Sequence, residues 1–156
     1  MPWFAPRPVE RMEDGRFEVR LSGRERSLLR GLPAALDDLL VAEPGDPSLR
    51  RLFPPAYEDA ELEAEYQGLV GEELLGGHRA SLLALAETVD NEHVTEEELH
   101  AWLSALNNLR LVLGTRLAVT EETYEDGIDE TDPQADDLAL YAYLTWLQDG
   151  ILQALT

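Results

Sequence analysis

The sequence predicts a mainly α fold: a single-domain helical bundle of about five helices with a small N-terminal β-hairpin. Three observations predict it. The chain of 156 residues is 44% hydrophobic, enough for one core without staples. Leucines recur at helical spacing in several segments. Strict alternation of apolar and polar residues is confined to the N-terminal part. The whole chain, 1–156, reads as one domain, with the hairpin at 7–21 and the bundle over 25–156, because no internal repeat and no long linker divides it.

In the hairpin, Asp14-Gly15 supplies a two-residue turn, and Phe17, Val19 and Leu21 alternate with Arg16, Glu18 and Arg20. Two strands are marginal alone, so they pack on helices or pair with another chain. A first helix spans about 25–42, with an apolar stripe of Leu28, Leu32, Leu36, Leu39 and Leu40. Pro33 kinks that helix or restarts it after Gly31. A second helix begins near Glu58 or Asp59, its first turns rich in the acids that the helix dipole favours. Gly76-Gly77 suggests a break before a third helix over about 78–90. Thr95-Glu96-Glu97-Glu98 is a capping box, and Leu99, Trp102, Leu103, Leu106, Leu109, Leu113 and Leu117 follow it. The last helix covers about 134–155, with Leu140, Leu144, Leu147 and Ile151 on its buried side. An acidic loop, 120–137, lies between these two helices.

Composition narrows the chemistry. There is no cysteine, which excludes disulfides, thiolate metal sites and a cysteine nucleophile. The formal net charge is −20 and unevenly placed. Residues 1–51 carry nine arginines against nine acids, and residues 52–156 carry three arginines against 23 acids. A phosphate polymer is repelled by that C-terminal part. No apolar run approaches the length needed to span a bilayer, and the first residues show no signal-peptide pattern, so the expected compartment is the cytoplasm.

Candidate chemistry is sparse. Glu97 and His100 form one E-x-x-H step, a metal-ligand spacing in helix bundles, but no second step accompanies it. The acids of 121–137 do not follow a calcium-loop pattern. No serine sits in a nucleophile elbow, and no glycine-rich phosphate loop opens a helix. The residues therefore argue for no catalytic centre, no cofactor and no metal site. Arg110 lies among leucines and valines, so its guanidinium needs a partner, for which Glu61 or Glu65 of the second helix are candidates. The stretch Arg50-Arg51-Leu52-Phe53-Pro54-Pro55-Ala56-Tyr57 reads as a rigid, aromatic-pinned corner, or as a surface hot spot of arginine and tyrosine.

Arg51-Leu52-Phe53-Pro54-Pro55-Ala56-Tyr57, then Trp102 and the run from Leu106-Asn107-Asn108-Leu109-Arg110 to Gly114-Thr115-Arg116-Leu117, resemble an actinobacterial family. That family is catalogued as a domain of unknown function, and some members carry the label of oxidative-stress transcriptional regulators (AosR-like). The resemblance covers nearly the whole chain. It implies a non-enzymatic protein-interaction domain, a transcriptional regulator acting through a partner such as a sigma factor. Regulators so labelled sense oxidants through a cysteine pair, which this chain lacks. Candidate partner-binding or signature residues are Arg50, Arg51, Phe53, Pro54, Pro55, Tyr57, Asn107, Asn108, Arg110 and Arg116. A homodimer is a further expectation, since a lone hairpin edge invites pairing. The alternatives are a carboxylate metal-binding bundle and a direct DNA binder working through the N-terminal arginines.

Overall fold

The structure is a computed structural model, described here for residues 7–117 and 133–156. Strand β1 (Val9–Arg11) pairs antiparallel with β2 (Phe17–Val19), with Val9 opposite Val19 and Arg11 opposite Phe17. The turn is longer than Asp14-Gly15 alone. The Gly15 amide donates to the Met12 carbonyl, the Met12 amide donates to the Arg16 carbonyl, and Gly15 takes φ +87°. A turn followed by a left-handed glycine suits the strands' twist. The hairpin is not alone either. A short β3 (His93–Val94) pairs antiparallel with the other edge of β2, giving the order β1-β2-β3. Val9, Phe17, Val19 and Val94 are all buried, because pairing in register puts them on one face of the sheet.

Helix α1 (Gly23–Ala42) starts at a capping box. The Ser22 hydroxyl accepts the Glu25 amide at 3.1 Å, and Glu25 accepts the Ser22 amide at 3.0 Å. It buries Leu29, Pro33, Leu36 and Leu40. The stripe is thus rotated from the sequence reading: Leu28 is exposed, and Leu32 and Leu39 are only partly buried. Pro33 does not restart the helix after Gly31; it lies inside one continuous helix and is buried. A 3-10 helix (Pro47–Leu52) follows, capped by Asp46 and anchored by buried Leu49 and Leu52.

Helix α2 (Ala60–Thr88) runs uninterrupted through Gly76-Gly77, so the break and the separate third helix are not formed. Asp59 caps its start, and Leu82 and Leu85 bury its end. These anchors outweigh a glycine cost of about 1 kcal/mol each. Helix α3 (Glu96–Leu117) begins at the expected Thr95–Glu98 capping box and buries Leu99, Trp102, Ala105, Leu106, Leu109 and Val112. It packs on α1, α2, the 3-10 helix and α4 (Ala135–Leu155), so it is the centre of the bundle. Of the acidic loop, 120–132 lies outside the described residues. Among the described residues no helix is long and apolar enough to cross a membrane.

Helix α4 also lies against β1. A Cβ at Gly150 would stand 2.6 Å and 2.7 Å from two ring carbons of Pro8. At Gly77 a Cβ would meet nothing within 4 Å. The two glycines therefore respond oppositely to alanine. Gly77→Ala stabilises by about 0.5–1 kcal/mol through helix propensity. Gly150→Ala destabilises by about 1–3 kcal/mol, because a rigid ring must move. Urea midpoints with unchanged slopes check both.

Candidate partner-binding surface

The corner between α1 and α2 is fixed by short local bonds. Asp46 accepts the Ser48 amide at 2.8 Å and its hydroxyl at 2.6 Å, which start the 3-10 helix. These bonds, with the Arg116 cation as a weaker contributor, hold the Asp46 carboxyl below its usual range. Leu49 and Leu52 then point into the core. The His78 ring reaches back from α2, its Nε2 lying 2.8 Å from the Leu52 carbonyl. A carbonyl only accepts, so Nε2 carries the proton in this bond. Phe53 packs edge-on to the same ring, with centroids 5.4 Å apart.

Pro54 and Pro55 follow, both exposed and both unable to continue a helix from before. The chain is caught again by Glu63. Its Oε1 accepts the amides of Ala56 and Tyr57 at 2.8 and 3.0 Å, and its Oε2 accepts Gln67 Nε2 at 2.7 Å. Tyr57 stays 50% exposed, with its ring edge-on to Tyr66 at 5.8 Å. Arg50 and Arg51 are exposed in the last turn of the 3-10 helix. Arg50 and Phe53 line a groove of about 530 Å³ whose far wall is α2 at Gly68, Gly71 and Leu75.

The Gln67 bond, then the Ala56 and Tyr57 amides, lower the Glu63 pKa. A carboxylate with a depressed folded pKa supports the fold above the ordinary glutamate range. That support is lost as pH falls through the lowered value. The expected result is that Ala56 and Tyr57 amides lose protection on acidification before the core amides do. Glu63→Gln loosens the same two amides already at neutral pH. Hydrogen exchange read by mass spectrometry measures both.

The other candidates are scattered. Asn108 is buried, its Nδ2 3.5 Å from the Ser81 hydroxyl, which itself donates to the His78 carbonyl at 2.9 Å. It belongs to the α2–α3 seam behind the corner. Asn107 is exposed, beside a cavity of about 330 Å³ shared with Glu73, His78 and Ser104. Arg110 turns away from α2. Its Nε donates to Thr145 Oγ1 at 3.0 Å, its Nη1 to Gln148 Oε1 at 2.7 Å, and its guanidinium lies 5.3 Å from the Tyr141 ring centroid. The expected pairing with Glu61 or Glu65 is therefore incorrect. The face of α3 that carries Arg110 packs on α4, and α4 offers it neutral oxygens and an aromatic ring. Arg116 is exposed at the mouth of an apolar cavity of about 280 Å³ lined by Leu36, Leu39, Val112 and Leu140.

The E-x-x-H step lies at the solvated start of α3, where Glu97 and His100 are exposed and Glu98 serves the cap. No group of three metal-ligating side chains converges among the described residues. Several N-terminal arginines are engaged within the fold. Arg16 pairs with Asp14, Arg20 with Glu10 and Glu18, and Arg30 with Asp90. Arg26, which no motif marked, donates to four backbone carbonyls.

Comparison with known proteins finds relatives that are named as regulators. The oxidative stress regulators AosR of Mycobacterium tuberculosis and Mycobacterium bovis are each 27% identical to the chain. Each match covers 94% of this chain and 85% of the relative. A Mycobacterium leprae protein, provisionally named an oxidative stress regulator AosR, is 31% identical over 94% of this chain and 86% of its own length. No solved structure matches. A family defined as a domain of unknown function, DUF2017, matches residues 6–155, and the chain belongs to that family.

Proposed function

We propose that this protein is a non-enzymatic regulatory domain of the cytoplasm that acts by binding a protein partner, without a cysteine switch. The names of its relatives support regulation, and the matches cover 85% and 86% of their length. The absence of cysteine removes thiol–disulfide sensing from this chain. The partner class implied by the regulator resemblance is a component of the transcription machinery, such as a sigma factor.

The observation that carries the reading is the corner. Arg50, Arg51 and Tyr57 are presented on backbone held by Asp46, His78 and Glu63. Arginine and tyrosine dominate binding hot spots, and groups already fixed lose less freedom on association. Direct DNA binding is less well supported, because Arg16, Arg20, Arg26 and Arg30 are spent on internal partners.

The test is crosslinking and pull-down from native lysate, comparing wild type with Arg51→Ala and Tyr57→Ala. Both side chains are exposed, so both variants fold. The expected result is loss of a crosslinked partner from each variant. Retention of every partner by both defeats the corner as a binding surface. An unchanged transcript profile in a deletion strain, with no partner recovered, defeats the regulatory reading.

A further inference from the structure

The outer side of α2 carries a second surface. Leu62, Leu69 and Leu83 are 49%, 76% and 58% exposed. They belong to one series with a spacing of seven residues, whose remaining member is Gly76. That spacing keeps them on one side of the helix. The helix has 29 residues, so it is about 43 Å long. Gly76 leaves open space where a side chain would stand. Gly76 and Leu83 also border a groove of about 470 Å³ between α1 and α2, lined by Pro33, Ala34 and Ala80. The stripe and the groove together offer an exposed apolar track.

Charge decides what fits it. Glu65, Glu72, Glu73 and Glu87 fall on the same side of α2 as the leucines, and all four are exposed. Asp38 is exposed on the α1 rim. The single arginine of α2, Arg79, is engaged by Asp37 at 2.7 Å. A second copy of this chain would bring Glu72 and Glu73 against their own equivalents, and each copy carries a net charge of −20.

We propose that this face of α2, with the α1–α2 groove, docks an amphipathic helix of a protein partner that carries apolar side chains flanked by lysine or arginine. Laying an apolar helix face into a groove is a recurrent recognition mode, and a basic flank answers the acids on the rim. The inference rests on the reading that this protein works through a partner, and it adds where a helical part of that partner sits.

The probes are three labelled peptides of matched length. One is a designed helix with leucine at heptad positions and lysine elsewhere. The second has the same composition in scrambled order. The third replaces lysine by glutamate. Fluorescence anisotropy against the full chain is expected to show tight binding of the first alone. Leu69→Glu and Leu83→Glu each weaken it by about tenfold or more, with an unchanged thermal midpoint. Equal binding of the scrambled peptide would show bare charge attraction and overturn the proposal. So would unchanged affinity of both variants, or early melting, which would mean that the chain itself covers this face. A wild-type dimer that Leu69→Glu converts to monomer would assign the face to self-association instead. Failure here, with Arg51→Ala or Tyr57→Ala still losing a crosslinked partner, removes the α2 site and leaves the corner reading standing.

Discussion

Replacing Arg26 by alanine is expected to lower the unfolding free energy by about 3 kcal/mol, the larger part of it not recovered by lysine. The guanidinium sits where four segments meet. Nε donates to the Leu21 carbonyl at 3.1 Å. One terminal nitrogen donates to Val89 at 2.7 Å and Asn91 at 2.9 Å, and the other to Val19 at 3.2 Å. Those carbonyls belong to the end of β2, the residue before the α1 cap, the C-terminus of α2 and the link to β3. Each carbonyl is left over where a regular element stops, so none has a ladder or helix partner to fall back on. A planar fork with five N–H donors can answer all four, whereas an ammonium is a single point on a flexible stem. The figure is near 3 kcal/mol because the Asn91 bond is exposed and water replaces it. Urea denaturation of the alanine and lysine variants measures the loss. Hydrogen exchange is expected to show Glu92–Val94 opening first, since β3 is only two residues long. A variant with wild-type stability would mean that the junction is held by the sheet and helices alone.

Arg26 also shows why part of this fold is hard to read in advance. Its partners are backbone carbonyls, which have no sequence signature, so nothing separates it from Arg24 or Arg30 on the same helix. The legible parts are those whose cause is local. The Thr95 capping box appears as expected, and Leu99, Trp102, Leu106 and Leu109 of the α3 series are buried while Leu103, Leu113 and Leu117 are only partly so, because a cap and a 3.6-residue period are written into adjacent residues. Leu144, Leu147 and Ile151 of α4 are buried for the same reason, with Leu140 only partly buried and Tyr143 joining them. Readings that failed depend on tertiary context. Gly76-Gly77 looks like a break until both flanks of α2 are anchored. Pro33 reads as a candidate restart after Gly31 until it is seen buried inside one continuous helix. The third strand, His93–Val94, is too short to show alternation and exists because β2 has an open edge beside it.

The candidate surface divides along the same line. Asp46, Pro54, Pro55 and the aromatic residues of the corner announce a rigid turn by residue type alone. Glu63, which holds the turn from α2, does not, because any of several acids there could have filled the role. Arg110 is legible as a cation that needs a partner but not in its choice of one, which depends on which helix faces it. Apolar content alone does not set the exposed leucines of α2 apart from buried ones. Only the side of the helix that they occupy marks them out.

The second large effect is expected at Trp102, and its components can be separated. Trp102 is fully buried in the centre of the bundle, and its Nε1 donates to Thr88 Oγ1 at 2.7 Å. The Thr88 hydroxyl in turn donates to the Ala84 carbonyl at 2.6 Å. One hydroxyl thus links the indole of α3 to the last turns of α2. Trp102→Ala removes the ring and leaves a cavity, at a cost of about 3–5 kcal/mol. Trp102→Phe keeps much of the ring volume, and Thr88 keeps its bond to Ala84, so the cost falls to about 1–2 kcal/mol. Thr88→Val is the sharper substitution. It is nearly isosteric, but it strands the N–H of a fully buried indole, at about 1–3 kcal/mol. If the bond does what the geometry indicates, the double variant Trp102→Phe with Thr88→Val costs less than the two single changes together. With phenylalanine in place no donor remains to be stranded, and the coupling is about 1 kcal/mol. Strict additivity in urea denaturation would show that Trp102 acts through packing alone, and that the joint between α2 and α3 is apolar rather than pinned by a directed bond.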